Sequence, residues 1–86
     1  MTGDVERRRK ADFQMQRVRR MTDELAPRCK VIFDGMPPVG QLRFRVENEF
    51  GLDLLPSSGH IGIDEMEAWS DEDLRKRLAT LSGGKL

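Results

Sequence analysis

Residues 42–54 alternate between apolar and polar character almost without interruption. Leu42, Phe44, Val46, Phe50, Leu52 and Leu54 hold the even positions, with Asn48 as the exception. Arg43, Arg45, Glu47, Glu49, Gly51 and Asp53 hold the odd ones. A period of two turns one face of an extended chain toward a core and the other toward water. The pattern predicts a strand, and a strand needs neighbours. Residues 30–34 (Lys-Val-Ile-Phe-Asp) form a short β-branched and aromatic run, joined to the alternation by the turn-rich Gly35-Met36-Pro37-Pro38-Val39-Gly40. Residues 60–64 (His-Ile-Gly-Ile-Asp) form a third run after the turn cluster Pro56-Ser57-Ser58-Gly59.

Helical signals flank these runs. Over residues 5–26, Ala11, Met15, Val18, Met21 (with Thr22) and Leu25 share one arc at helical spacing. Asp4 is placed to cap the start, and Pro27 ends the element. At the other end Ser70 precedes Asp71-Glu72-Asp73 and then Arg75-Lys76-Arg77. That order suits a helix whose positive pole takes the carboxylates. Asp71/Arg75, Glu72/Lys76 and Asp73/Arg77 have i,i+4 spacing, Leu74, Leu78 and Leu81 form the apolar stripe, and Gly83-Gly84 stops it. Trp69 and Leu74 have the spacing of a hydrophobic staple. The predicted fold is α+β, a small single domain over residues 1–86. It has a long N-terminal helix, a short antiparallel three-stranded sheet and a C-terminal helix, both helices lying on one face. Residues 82–86 are read as a flexible tail.

One rival remains open on the sequence. Val39, Leu42, Val46 and Phe50 also fit a helical stripe, Pro37-Pro38 suits a first turn, and Gly51 suits a C-terminal cap. That reading predicts an all-α bundle of three or four helices. On it, residues 45–56 (Arg-Val-Glu-Asn-Glu-Phe-Gly-Leu-Asp-Leu-Leu-Pro) resemble the second helix of acyl carrier proteins, which ends in an acidic stretch, Phe-Gly and an alternating tail to proline. The resemblance implies a degenerate member, because the serine that carries phosphopantetheine in that family falls at Met36. The connection from the first helix is also short for the family.

Charge offers the main functional hint. The chain is neutral overall, yet residues 1–30 hold nine Lys/Arg against five Asp/Glu, and the remainder six against ten. Such polarity points either to an acidic or nucleic-acid partner or to attraction between the two halves. A helix over residues 5–26 is longer than strands of ordinary length, so residues 1–10 are expected to overhang the sheet as a basic end. Arg7, Arg8, Arg9, Lys10, Arg17 and Arg20 are the candidate partner-binding residues, with Phe13 among them off the core arc.

Catalytic groups are sparse, with one histidine, one cysteine and no tyrosine. Ser57, Ser58 and His60 are neighbours in a turn cluster and lack an orienting third group. His60, Asp64, Glu65 and Glu67 lack a recognisable ligand spacing, and a lone Cys29 excludes an internal disulfide and a cysteine zinc cluster. Gly59 and Gly62 make no phosphate-binding fingerprint. No catalytic residue, metal or cofactor is expected. No signal peptide or membrane-length apolar run is visible, which points to the cytoplasm. The expected function is a non-enzymatic binding or adaptor module that docks on a protein partner, as an accessory subunit, regulator or phage-type inhibitor. Self-pairing through a sheet edge or the long helix belongs to the same reading. The alternative is a nucleic-acid-binding regulator using the basic helix.

Overall fold

The computed structural model of the chain describes residues 2–33, 40–55 and 59–86. The elements run α1 (Thr2–Leu25), β1 (Lys30–Phe33), β2 (Gln41–Glu47), β3 (Gly59–Gly62), α2 (Ile63–Glu67) and α3 (Asp71–Leu81). The sheet is antiparallel with β2 in the centre, in the order β1-β2-β3. Val31 stands opposite Val46, Phe33 opposite Phe44 and Leu42 opposite Ile61. The alternation therefore resolves as a strand and not as a helix. Leu42, Phe44 and Val46 are buried while Arg43 and Arg45 are exposed. The likeness of residues 45–56 to a carrier-protein helix has no counterpart here, because that stretch begins as strand and continues as a turn. Met36 lies outside the described residues.

The core joins the inner face of the sheet (Leu42, Phe44, Val46, Ile61) to Val18 and Met21 of α1, Met66 of α2 and Leu74 and Leu78 of α3, with Leu55. The Phe33 and Phe44 rings meet at 5.9 Å and 55°, and the Arg19 guanidinium lies 5.0 Å from the Phe33 centroid. α1 touches β1, β2, α2 and α3, so it is the element on which the rest assembles. Its buried face differs from the apolar reading in one respect. Gln14, outside the expected arc, is buried with Val18, Met21 and Thr22, while Ala11, Met15 and Leu25 are half-buried. The helix begins at Thr2, so Asp4 lies inside it and does not precede it as a cap.

Two further boundaries differ from the sequence reading. The strand expected over 60–64 stops at Gly62, and Ile63 opens a short helix that buries Met66. Ile61 and Ile63 have strand spacing while Ile63 and Met66 have helical spacing, so the short run carries both signals. The strand expected to continue through Leu54 ends at Glu47. At the C-terminus, residues 82–86 follow α3 with hydrogen bonds back to its end. Leu86 N–H donates to the Ser82 hydroxyl at 3.0 Å, that hydroxyl donates to Ala79 O at 3.1 Å, and Ser82 is buried.

The C-terminal helix starts as its sequence indicates. Ser70 Oγ accepts from Asp73 N–H at 3.2 Å, and an Asp73 carboxylate oxygen accepts from Ser70 N–H at 3.1 Å. This reciprocal capping box satisfies two backbone donors that the helix cannot satisfy itself. Ser70→Ala is expected to destabilise the protein by about 1 kcal/mol in a urea melt with an unchanged slope. A neutral result would mean that α3 starts without help from its cap. Of the three i,i+4 pairs, Glu72–Lys76 forms at 3.8 Å. Asp71 and Arg75 turn instead to α1, pairing with Arg17 at 3.4 Å and Glu24 at 3.8 Å. Asp73 is engaged by the capping box.

Candidate functional site

The charge asymmetry resolves first as attraction between the halves. Lys10 pairs with Glu67 at 3.5 Å, Arg17 with Asp71 at 3.4 Å and Arg28 with Glu49 at 3.6 Å. Each pair takes its cation from the first thirty residues and its anion from the rest. Exposed pairs of this kind contribute little individually, roughly 0–1 kcal/mol.

Arg17 is different. Its side chain is 10% exposed, far less than the 50% of Lys10. Its guanidinium donates to Met66 O at 2.8 Å, to Trp69 O at 2.9 Å and to Gln14 Oε1 at 2.9 Å, with Asp71 at 3.4 Å. The two carbonyls belong to the end of α2 and the link to α3, and Met66 O also accepts from Trp69 N–H at 3.0 Å. A planar fork with several donors suits this place, because it spans two carbonyls at once. Arg17 thereby ties α1 to the α2–α3 junction, and its donors are used inside the molecule. Trp69, half-buried against the core, brings its carbonyl to this junction.

The other five candidate cations stay at the surface: Arg7, Arg8, Arg9, Lys10 and Arg20 are all exposed. Arg7 and Lys10, with Glu6, Gly40, Ile63 and Asp64, line a cavity of about 290 Å3 beside the start of β2. Carboxylates sit there beside the cations, so it is not a purely basic recess. Phe13 is 59% exposed. With Arg9, Lys10, Gln14, Arg17 and Glu67 it lines a groove of about 320 Å3 along α1.

A second exposed feature was hidden inside the alternation. After Glu47 the chain turns sharply. Asn48 Oδ1 accepts from both Phe50 N–H at 2.9 Å and Leu52 N–H at 3.0 Å. Asn48 O accepts from Gly51 N–H at 3.0 Å, and Asn48 N–H donates to Leu52 O at 2.9 Å. Gly51 has φ +79°, a conformation that a residue with a Cβ adopts only under strain. The returning chain then pairs with β2, with Leu54 N–H donating to Val46 O at 2.8 Å and Asp53 opposite Glu47. The outcome reverses the expectation for two side chains. Phe50 and Leu52, which the period of two turned inward, are 85% and 61% exposed. The signal for this turn was present as Asn and Gly at a spacing of three, the composition of a tight reversal. Uninterrupted apolar alternation on both sides masked it.

Among the described residues, those suited to chemistry are not gathered. His60 is exposed on the outer face opposite Arg43, and Ser57 and Ser58 lie outside the described residues. Among the described residues no group of three or more His, Cys, Asp or Glu is placed to hold a metal ion, and no helix is long and apolar enough to cross a membrane. Cys29 is a half-buried free thiol packed against the core just before β1. Comparisons with protein-family models, curated proteins and solved structures find no match to this chain.

Proposed function

We propose that this chain is a non-enzymatic binding module that docks on a protein partner through the turn after β2, with Phe50 and Leu52 as anchors. One observation carries the reading. The most exposed large apolar side chain among the described residues sits on a turn held by three hydrogen bonds to Asn48 oxygens and a fourth from its N–H. Leaving a phenylalanine in water gives up roughly 1.5–3 kcal/mol of burial. Fixing it in advance removes the ordering cost at the moment of binding. Aromatic anchors entering a partner's pocket supply much of the affinity in protein interfaces. The basic end of α1 would then act in steering, where exposed charge changes association rate more than affinity.

A photo-crosslinking amino acid at position 52, introduced in the native cell, tests this. The expected result is a discrete crosslinked product that disappears in Phe50→Ser, while the same probe at exposed Thr80 gives none. Absence of any product from position 52 would refute the docking role. The nucleic-acid alternative retains Arg7, Arg8, Arg9 and Arg20 as exposed cations, but Arg17 is committed internally. A retained nucleic acid whose affinity falls steeply with salt would support that alternative instead.

A further inference from the structure

We propose that the partner of the turn also adds a strand to the outer edge of β1, and that this strand is an extended segment of a different protein with apolar residues opposite Val31 and Phe33. The proposal deepens the docking role of the turn and rests on it for where the partner arrives. Backbone direction decides which groups β1 offers. Val46 O and Asn48 N–H bond the returning chain at Leu54 and Leu52. Successive residues of an extended chain point their N–H and C=O groups to opposite sides, so those of Glu47 and Arg45 face β1. Lys30 and Ile32 stand opposite these two residues and are the ones that pair with them. Val31 and Phe33 therefore turn their N–H and C=O groups outward, away from β2. Among the described residues nothing hydrogen-bonds to these two donors and two acceptors.

Burial singles out this edge of the sheet. On the β3 side the inward-facing Ile61 is 2% exposed, and α2 packs beside the strand. On the β1 side Val31 and Phe33 face the same core as the buried Val46 and Phe44, yet both are only half-buried. Cys29, two residues before Val31, is half-buried as well. The core layer is unfinished along β1. One more strand with apolar residues at alternate positions completes it and satisfies the four backbone groups, which is the strand-addition mode of peptide recognition. Charge argues for a different protein over a second copy. Arg19, whose guanidinium lies over the Phe33 ring, and Lys30 are exposed at this edge and form no ion pair among the described residues. They favour carboxylates in the added strand, whereas Lys30 is the one charged residue that β1 of a second copy would bring. The turn lies at the same end of the sheet, since Lys30 stands opposite Glu47 and Arg28 pairs with Glu49 at 3.6 Å. A partner that seats Phe50 and Leu52 is thereby delivered to the head of β1.

The test places the photo-crosslinking amino acid at position 30 in the native cell, alongside the probe at position 52. Both positions are expected to capture the same protein, and the peptide joined to position 30 should alternate apolar residues and carry a carboxylate. Val31→Pro removes an outward N–H and no bond to β2, a change that an edge strand tolerates. It should abolish the position-30 product with a nearly unchanged thermal melt, while Ile32→Pro, which removes an N–H bonded to β2, should lower the melt strongly. Val31→Lys keeps every backbone group and sets a charge in the path of the added strand, as natural edges do to stay unpaired. It should abolish the product too, and it decides the matter if the Val31→Pro chain does not fold. A position-30 product that survives in either folded variant, a product with a second copy of this chain, or no product at position 30 while position 52 still gives one would each overturn the strand addition and leave the docking role standing. Equal melts for the two proline variants would overturn it as well, because the outward groups would then lie elsewhere. Products at neither position remove both readings.

Discussion

Phe44→Asp is expected to leave the chain unfolded at room temperature, seen as loss of cooperative melting and of the mixed helix and sheet signal in circular dichroism. Phe44 is 1% exposed, sits in the central strand and meets the Phe33 ring. A carboxylate there has neither water nor a cationic partner, and burying an unpaired charge ranks among the largest single-residue penalties. A domain of this size holds on the order of 5–10 kcal/mol in total, so the loss of about 4–5 kcal/mol consumes most of it. The neighbouring position supplies the contrast. Arg45 points to the other face and is half-exposed in its pair with Glu47 at 2.9 Å. Arg45→Gln is expected to change stability by no more than about 0.5–1 kcal/mol. Comparable mild effects at both positions would contradict the strand, since residues 44 and 45 would then not face opposite sides.

Arg17→Ala should give the next largest effect, a loss of about 2–4 kcal/mol by chemical denaturation. Hydrogen bonds from a charged donor contribute roughly 1.5–3 kcal/mol each when they are well shielded. Two such bonds, to Met66 O and Trp69 O, disappear together with the one to Gln14. The buried Gln14 amide oxygen and the Trp69 carbonyl would then have to recruit water into a packed junction, while Met66 O keeps its bond from Trp69 N–H. Arg17→Lys is expected to recover only part of the loss, because an ammonium cannot span both carbonyls in one plane. Full rescue by lysine would mean that charge alone matters here, and that the fork geometry does not.

These two residues also mark what was legible in the sequence and what was not. The inward role of Phe44 could be read directly, because strand periodicity and burial are the same physical fact. The caps and apolar stripe of α3 were equally visible, since a helix start is written in local residues such as Ser70 and Asp73. Arg17 gave no such signal. Its partners are main-chain carbonyls about fifty residues away, and a backbone acceptor leaves no mark in a side-chain pattern. It could therefore be grouped with the solvated arginines around it. The turn at Asn48 was missed for another reason: alternation on both sides of a reversal looks like one long strand unless the Asn and Gly are allowed to interrupt it. That interruption decides whether Phe50 and Leu52 belong to the core or to the surface.

Backbone order parameters from nitrogen-15 relaxation at Glu49, Phe50, Gly51 and Leu52 show whether the turn is fixed before any partner arrives, as docking through Phe50 and Leu52 requires. Values near those of the β2 strand, about 0.85, are expected in the free chain, falling in Asn48→Ala, which removes the side-chain acceptor for two of these amides. Values below about 0.6 at these residues in the wild type would contradict it.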